Sequence, residues 1–197
     1  MALTKQSKVL NKTQVASVRS HLKSGRNALR NDTIFLLSVK AGLRAKEIAA
    51  LKWIHVLNGD GTLNDTLHLP DSASKGRSGR EIPIHKEILA NLQTLLQTAS
   101  KRNFSPEDHV IRTERSRSTS AQVIVNFFQS LYTRMGYVGC SSHSGRRTFI
   151  TECARKVSTV GGSLRDVQYL AGHSSLQTTQ RYIDGSSESK RKLIGVI

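Results

Sequence analysis

The hydrophobic residues of this chain recur mostly at intervals of three and four, the spacing of one face of an α-helix. Several of these runs end at a glycine, as helices often do, and Gly42, Gly136 and Gly172 each predict a helix end. The helical segments that we predict contain Val15 to Leu22, Ile34 to Ala41, Glu47 to Leu51, Ile88 to Leu96, Val123 to Met135, Gly145 to Lys156, Leu164 to Leu170 and Leu176 to about Ile183.

Two short segments instead have the composition of β-strands. They are Leu67 to Leu69 and Glu81 to Ile84, and the residues between them are rich in Ser, Gly, Lys and Arg. A second basic, serine-rich stretch, Arg112 to Ser120, precedes the helix that begins near Val123. The pattern therefore predicts an α+β fold that is predominantly helical, with a small antiparallel β-sheet whose hairpin loop is basic.

The charge of the chain narrows the class of its partner. Thirty Lys and Arg against fourteen Asp and Glu give a formal net charge of +16, which favours a polyanion. Nucleic acid is the leading candidate for this partner. The alternatives are that the basic surface is only solvated, or that it is attracted to anionic lipid. No apolar run approaches the ~20 residues needed to cross a bilayer, so we expect a soluble, intracellular protein.

The length of 197 residues suits one domain, with a core at about 10–185 and a C-terminal tail at 186–197. The two cysteines, Cys140 and Cys153, lack the spacing of a zinc site or of a disulfide framework. We expect both to be reduced structural thiols, and we expect no metal site.

The C-terminal third contains side chains suited to attack on a phosphodiester. His143 and Arg146 would share one face of a helix, where both can reach one phosphate. His173 follows a predicted helix end, whose dipole would favour its protonation. Tyr182 has a polar neighbourhood, whereas Tyr169 lies between apolar residues and is expected to be core. Each feature alone is ordinary: a capping histidine, a surface arginine or an unreactive tyrosine.

Further cations occur upstream. Arg44 lies at the predicted turn after Gly42 and could offer a planar fork to two phosphate oxygens. Lys75 lies in the basic hairpin loop, where small neighbours would let it approach a ligand. Arg77 and Arg80, in or beside the same loop, are candidate DNA contacts. A solvated surface remains the alternative for each cation taken alone.

Taken together, these residues resemble a known family. Gly42-Leu43-Arg44 with Glu47, Lys75-Gly76 with Arg80 and Ile82-Pro83, His143-x-x-Arg146, Gly172-His173 and Tyr182 are similar in order and spacing to the catalytic domain of tyrosine site-specific recombinases, the phage integrase family. The resemblance runs from about Leu10 to Ile183. It departs at Gly145, where many relatives have leucine, and at Arg147, where many have histidine.

The resemblance implies a site-specific DNA recombinase that joins its tyrosine to the 3′-phosphate and frees a 5′-hydroxyl. It implies these roles: Tyr182 as nucleophile, Arg44 and Arg146 on the nonbridging oxygens, His143 as base and phosphate ligand, Lys75 as acid to the departing oxygen, His173 as hydrogen-bond donor and Glu47 as support for Arg44. No cofactor is implied, because two transesterifications conserve bond energy and the arginines replace a metal.

The resemblance also implies partners. They are double-stranded DNA, other copies of this chain and an accessory DNA-bending protein. The copies would form a tetramer on two synapsed sites, and the protein would be a monomer or weak oligomer without DNA. The expected location is the cytoplasm, in association with the nucleoid. The tail could dock on a neighbouring protomer, pack on its own domain or fray. Additional DNA contacts are expected from Arg77, Arg80, Arg112, Arg115, Arg117 and Arg147.

Three alternatives stay open. Most relatives have an N-terminal core-binding domain that this sequence lacks, so the chain is either a minimal recombinase, similar to the fimbrial phase-variation invertases, or a fragment. A type IB topoisomerase would use similar chemistry but reseal the same strand. A regulator derived from a recombinase would keep the cations only as a phosphate-binding surface.

Overall fold

The computed structural model describes residues 6–71, 79–101, 103–114, 116–182 and Ile194. Eight α-helices and two β-strands within these ranges define the architecture. The helices are α1 (Lys12–Lys23), α2 (Ala28–Ala41), α3 (Ala45–Ala50), α4 (Lys86–Ser100), α5 (Ala121–Arg134), α6 (Ser144–Lys156), α7 (Leu164–Ala171) and α8 (Leu176–Gln180). The strands are β1 (Thr66–Leu69) and β2 (Arg80–Pro83), and short 3-10 helices span Trp53–His55 and Val157–Val160. The predicted class, α+β and mostly helical, is confirmed.

Helix α2 occupies the centre of the core. Its residues Phe35, Leu36 and Leu37 are completely buried, and the helix packs against α1, α4 and α6. Three consecutive buried apolar residues exceed what one amphipathic face provides, so α2 is covered on several sides. Helix α3 packs on α5, which extends the same core toward the chain segment that follows α2.

The two strands pair antiparallel, as predicted, with Leu67 opposite Ile82. Alternation places Leu67, Leu69 and Ile82 in the core, and the strand-flanking Ile84 lies just beyond β2. Strand β2 also contacts α7, so the sheet joins the helical body on the side of the α7 C-terminus.

The turn at Gly42 packs closely against α6. Gly42 has φ +67°, and a Cβ there would lie 2.4 Å from Cδ1 of Phe149 on α6. Only glycine combines this left-handed conformation with so close an approach. The turn thereby places Arg44, the N-cap of α3, beside the N-terminal half of α6.

A second apolar cluster joins α6 to α7 through Phe149, Ile150, Val167 and Ala171. At the start of helix α7, the carboxylate of Asp166 accepts hydrogen bonds from the main-chain N–H and the hydroxyl of Ser163, at 2.7 and 3.0 Å. It ends at Gly172, as predicted, with φ +60°. This end of α7 is therefore fixed against α6 by apolar packing, and His173 follows it directly.

Two predictions about this region were wrong. Helix α8 ends at Gln180, so Tyr182 lies in the turn that follows it and not inside the helix. Tyr169 is 54% exposed, not core, and its hydroxyl accepts a hydrogen bond from the Glu81 N–H at 3.3 Å. The short α7 presents Val167 and Ala171 inward, which turns Tyr169 outward toward β2.

Cys140 and Cys153 are both free thiols, as expected. Within the described ranges, no helix is long and apolar enough to cross a membrane. The same ranges contain no group of three or more His, Cys, Asp or Glu side chains arranged to hold a metal ion.

Candidate active site

Three arginines from different elements converge on the C-terminus of α7. Arg80 donates from Nε to the carbonyl of Leu170 at 2.9 Å, and Arg44 donates from Nη2 to the carbonyl of Gly172 at 3.4 Å. Arg146 donates from Nη2 to the carbonyl between them, that of Ala171. Because the last carbonyls of a helix lack partners within it and carry partial negative charge, they attract the guanidinium groups.

Glu47 links two of these arginines and is completely buried. Its Oε1 and Oε2 each accept a hydrogen bond from Arg80 at 3.1 Å, in a two-pronged pair. The same oxygens accept from Arg44, at 2.8 Å from Nη1 and 2.8 Å from the main-chain N–H. Burial opposes ionisation, but the hydrogen bonds and charges of Arg80 and Arg44 outweigh it and lower the pKa of Glu47. The structure thus places Glu47 against Arg44, as expected.

Arg146 is only 5% exposed and also donates to the carbonyl of Gly42 at 2.7 Å. Burial, with the neighbouring charge of Arg44, lowers the pKa of Arg146 to about 10. The guanidinium is still cationic near neutral pH. A cation held under such unfavourable conditions gains strongly from an anion brought close to it.

A cavity of about 340 Å³ gathers three of the predicted site residues, Tyr182, His143 and Arg146. His143 is the exposed N-cap of α6, and Arg146 is one turn further along the same helix. The remaining lining residues are Gln6, Ser7, Arg147, Thr178 and Arg181. The cavity is therefore bounded by cations and hydroxyls, a composition suited to a phosphate group.

His173 contacts Tyr182, which lines this cavity. Its imidazole stacks on the ring of Tyr182, and its Nδ1 is 2.9 Å from the hydroxyl oxygen of Thr179. Burial, followed by the charges of Arg146, Arg44 and Arg80, lowers the pKa of His173 to about 4. The expectation that His173 is protonated at this helix end is therefore wrong for the free protein, in which burial and the three arginines favour the neutral imidazole.

The predicted additional contacts occupy different environments. Arg80 was wrongly predicted to touch DNA, since its side chain is 1% exposed and is taken up by Glu47 and the α7 terminus. Arg112 pairs with Asp108, and Arg117 is exposed. Arg147 donates to the carbonyl of Ser7 at 3.1 Å and lies 5.8 Å from the centroid of the Tyr182 ring. Lys75, Arg77 and Arg115 lie outside the described residues.

Sequence reasoning missed the groups that orient the site. Thr179 was passed over, although the Thr-Thr pair before Tyr182 is the only signal for it. The carbonyls of Leu170 and Ala171 leave no trace in side-chain patterns. The departure at Gly145 has a local cause, because a Cβ there would lie 2.3 Å from Oγ of Ser38 on α2.

The chain is similar to known proteins. Residues 8–189 match the phage integrase family. The chain is 26% identical over 166 residues to tyrosine recombinase XerC of Leptospira interrogans, covering 84% of this chain and 50% of XerC. It is 28% identical over 166 residues to tyrosine recombinase XerA of Pyrococcus horikoshii, covering 84% of this chain and 54% of XerA. The chain thus spans about half the length of the curated relatives it matches.

Solved structures share the fold. A crystal structure of XerA recombinase has a TM-score of 0.73 at 21% identity and covers 95% of this chain and 64% of that one. The Tn1549 transposon integrase in complex with a circular intermediate DNA has a TM-score of 0.75 at 17% identity, covering 99% and 67%. At these identities the likeness describes the fold of the chain.

Proposed function

This chain belongs to the phage integrase family, and from that membership we propose that it is a tyrosine recombinase, which cleaves and rejoins DNA at specific sites. One observation carries the proposal beyond membership: Arg44, Arg80 and Arg146 converge on one helix terminus while Arg146 shares a cavity with His143 and Tyr182. Residues of about 10–185 would form the catalytic domain.

The charges at this site suit the transition state of phosphodiester cleavage. Arg44, Arg80 and Arg146 supply three positive charges and Glu47 one negative charge, an excess of two. A phosphodiester carries one negative charge, and further charge develops on its oxygens as the nucleophile attacks. The site therefore stabilises the transition state more than the bound substrate, which is the requirement for catalysis.

In the proposed reaction, Oη of Tyr182 forms a bond to phosphorus and the bond from phosphorus to the 5′-oxygen breaks. His143 accepts the phenolic proton, and Lys75 protonates the departing oxygen. Arg44 and Arg146 hold the nonbridging oxygens, and neutral His173 donates its single N–H to the phosphate. A 5′-hydroxyl from a second strand then displaces Tyr182 in the reverse reaction, so no external energy is needed.

The proposed partner is double-stranded DNA. The net charge of +16 and the cationic cavity favour it, and similar folds occur in the Tn1549 integrase complex with DNA. We further propose a tetramer on two synapsed sites, assisted by a DNA-bending protein, in the cytoplasm with the chromosome.

Capture of the covalent intermediate tests the function. Wild type and Tyr182→Phe would each be incubated with a pool of nicked duplexes that carry a randomised central segment. The nick lets the freed 5′ fragment diffuse away, so the adduct accumulates and is counted on a denaturing gel. Adduct with wild type and none with Tyr182→Phe is expected. No adduct with wild type from any pool, or adduct that survives the substitution, would overturn the assignment.

A further inference from the structure

We propose that Arg80 is a positioning residue for the reaction, a role that rests on the function proposed above. Arg80 is not exposed to a ligand, yet its guanidinium binds both carboxylate oxygens of Glu47 and the carbonyl of Leu170 at the α7 terminus. Through Glu47 it acts on Arg44, and through the carbonyl of Leu170 it acts on the segment that leads to His173.

The geometry of the carboxylate supports this role. The two guanidinium nitrogens of Arg80 bind the two oxygens of Glu47 at equal distances of 3.1 Å, which fixes the plane of the carboxylate. Nη1 of Arg44 then meets Oε1 at 2.8 Å. A rotation of the carboxylate would carry Arg44 with it, so the fork of Arg80 sets where the guanidinium of Arg44 points.

The helix terminus supplies a second constraint. Arg80, Arg146 and Arg44 donate to the carbonyls of three consecutive residues, 170, 171 and 172. Nη1 of Arg80 also lies 2.8 Å from the position that a Cβ of Gly172 would occupy, so the guanidinium packs directly beneath this glycine. Arg80 therefore fixes the same backbone on which Arg146 and Arg44 are aligned.

Sharing of the carboxylate preserves the charge of Arg44 for a phosphate. With Arg80 present, Glu47 divides its negative charge between two cations. Without Arg80, the buried carboxylate would bind Arg44 alone, and Arg44 would be drawn away from an incoming anion. Loss of Arg80 should therefore slow the chemical step even where the protein stays folded.

The test compares Arg80→Met, Arg80→Lys and the control Arg19→Met. Arg19 forms a similar two-pronged pair with Asp32, at 2.9 and 3.1 Å, between α1 and α2 and outside the cavity of Tyr182. Single-turnover adduct formation on the nicked duplex pool should fall about 10²-fold in Arg80→Met, because a small misplacement of a catalytic group has that effect. Arg80→Lys keeps the charge but not the fork and should be intermediate. Arg19→Met should stay within about twofold of wild type.

A spectroscopic readout separates positioning from stability and does not depend on cleavage. In the free protein, the Nε–H resonance of Arg44 in ¹⁵N-arginine spectra should move and exchange faster in Arg80→Met, and should not change in Arg19→Met. An unchanged Arg44 resonance in folded Arg80→Met would overturn the positioning role, whatever the adduct assay gives. Absence of adduct with wild type would instead overturn the proposed function.

The double variant Arg80→Met/Glu47→Gln removes the whole buried ion pair. Removing both charges should bring the urea midpoint back toward that of wild type, since no buried carboxylate is left without its partner. Adduct formation should stay low, because Arg44 then lacks the oriented carboxylate and keeps only its contact with the carbonyl of Gly172. Recovery of the wild-type rate in this variant would mean that Arg80 only neutralises Glu47, and the positioning role would be wrong.

Discussion

The ring of Tyr182 stacks on the imidazole of His173, with centroids 5.7 Å apart and planes inclined by 23°. His173 is in turn held by Thr179 in α8 and follows the terminus of α7 directly. The proposed nucleophile is therefore located by the same turn that carries the arginine-bound carbonyls. The protonation state of His173 therefore depends on the residues of the whole site.

The pKa of His173 predicts how stability depends on pH. In the folded protein this pKa is about 4, below the ordinary value of 6.5, because of burial and three nearby arginines. Between these two values the unfolded chain binds more protons than the folded protein, so stability rises with pH across the window and is lost as pH falls through it. The contribution is at most about 1.4 kcal/mol per pH unit for one proton.

Urea denaturation of wild type and His173→Gln between pH 4 and 7 measures this contribution. The substitution should flatten the rise of unfolding free energy with pH. His85 and His55 also have lowered pKa values, chiefly through burial, and their unchanged contribution remains as the background slope. An identical slope in the two proteins would mean that His173 titrates normally in the folded state.

Arg44→Ala and Arg146→Ala should separate chemistry from stability. Each removes one donor to the phosphate, so each should slow adduct formation about 10²–10³-fold. Arg146 is buried and binds the carbonyls of Gly42 and Ala171, so its loss should also cost about 1–3 kcal/mol of stability.

Arg44 is a quarter exposed, and Arg80 remains on Glu47 when it is lost, so Arg44→Ala should destabilise less. Single-turnover rates and urea midpoints of the two variants give the comparison. Equal loss of stability would contradict the different burial of the two guanidinium groups.

Much of the fold could be predicted from the sequence. The helices that pack on α2 have regular apolar spacing and definite ends, and Gly42, Gly136 and Gly172 mark turns that the structure contains. The two strands and their antiparallel pairing were also predicted. These features follow from local periodicity and from backbone conformations that favour glycine.

The wrong predictions concern residues whose environment is determined by contacts distant in sequence. Arg80 is basic and lies near a basic loop, but its burial depends on Glu47, 33 positions away in sequence. The pKa of His173 depends on burial and on arginines from three other elements, which the local sequence does not show. Tyr169 has apolar neighbours in sequence, yet the short α7 turns it outward. No local pattern records such relationships.

The salt dependence of DNA binding tests the predicted contact at Arg117. This exposed arginine lies in the segment before α5. Removal of one phosphate contact should make the negative slope of log binding constant against log salt concentration shallower by about 1. Arg155→Ala is a matched control, because it removes the same charge from the far end of α6, where Arg155 pairs with Glu152.

Fluorescence anisotropy with a labelled duplex of random sequence, at several salt concentrations, measures both slopes. The slope for Arg117→Ala should be shallower than that of wild type, and the slope for Arg155→Ala should equal that of wild type. Equal slopes for all three proteins would place Arg117 outside the DNA footprint.

Gly42 and Gly136 allow backbone strain to be separated from crowding. Both have φ +67°, so alanine at either position is strained by the same left-handed backbone. A Cβ at Gly136 meets nothing within 4 Å, whereas a Cβ at Gly42 would lie 2.4 Å from Phe149. Gly136→Ala should therefore cost about 1 kcal/mol, and Gly42→Ala a further ~1–3 kcal/mol.

Crowding at Gly42 should also reach the site, since the carbonyl of Gly42 binds Arg146 and the turn carries Arg44. Gly42→Ala should slow adduct formation by more than its stability loss explains, whereas Gly136→Ala should leave the rate unchanged. Adding Phe149→Leu to Gly42→Ala makes room for the new methyl group and should recover part of the lost stability. If the double variant were no more stable than Gly42→Ala, contact with Phe149 would not be the cause of the loss.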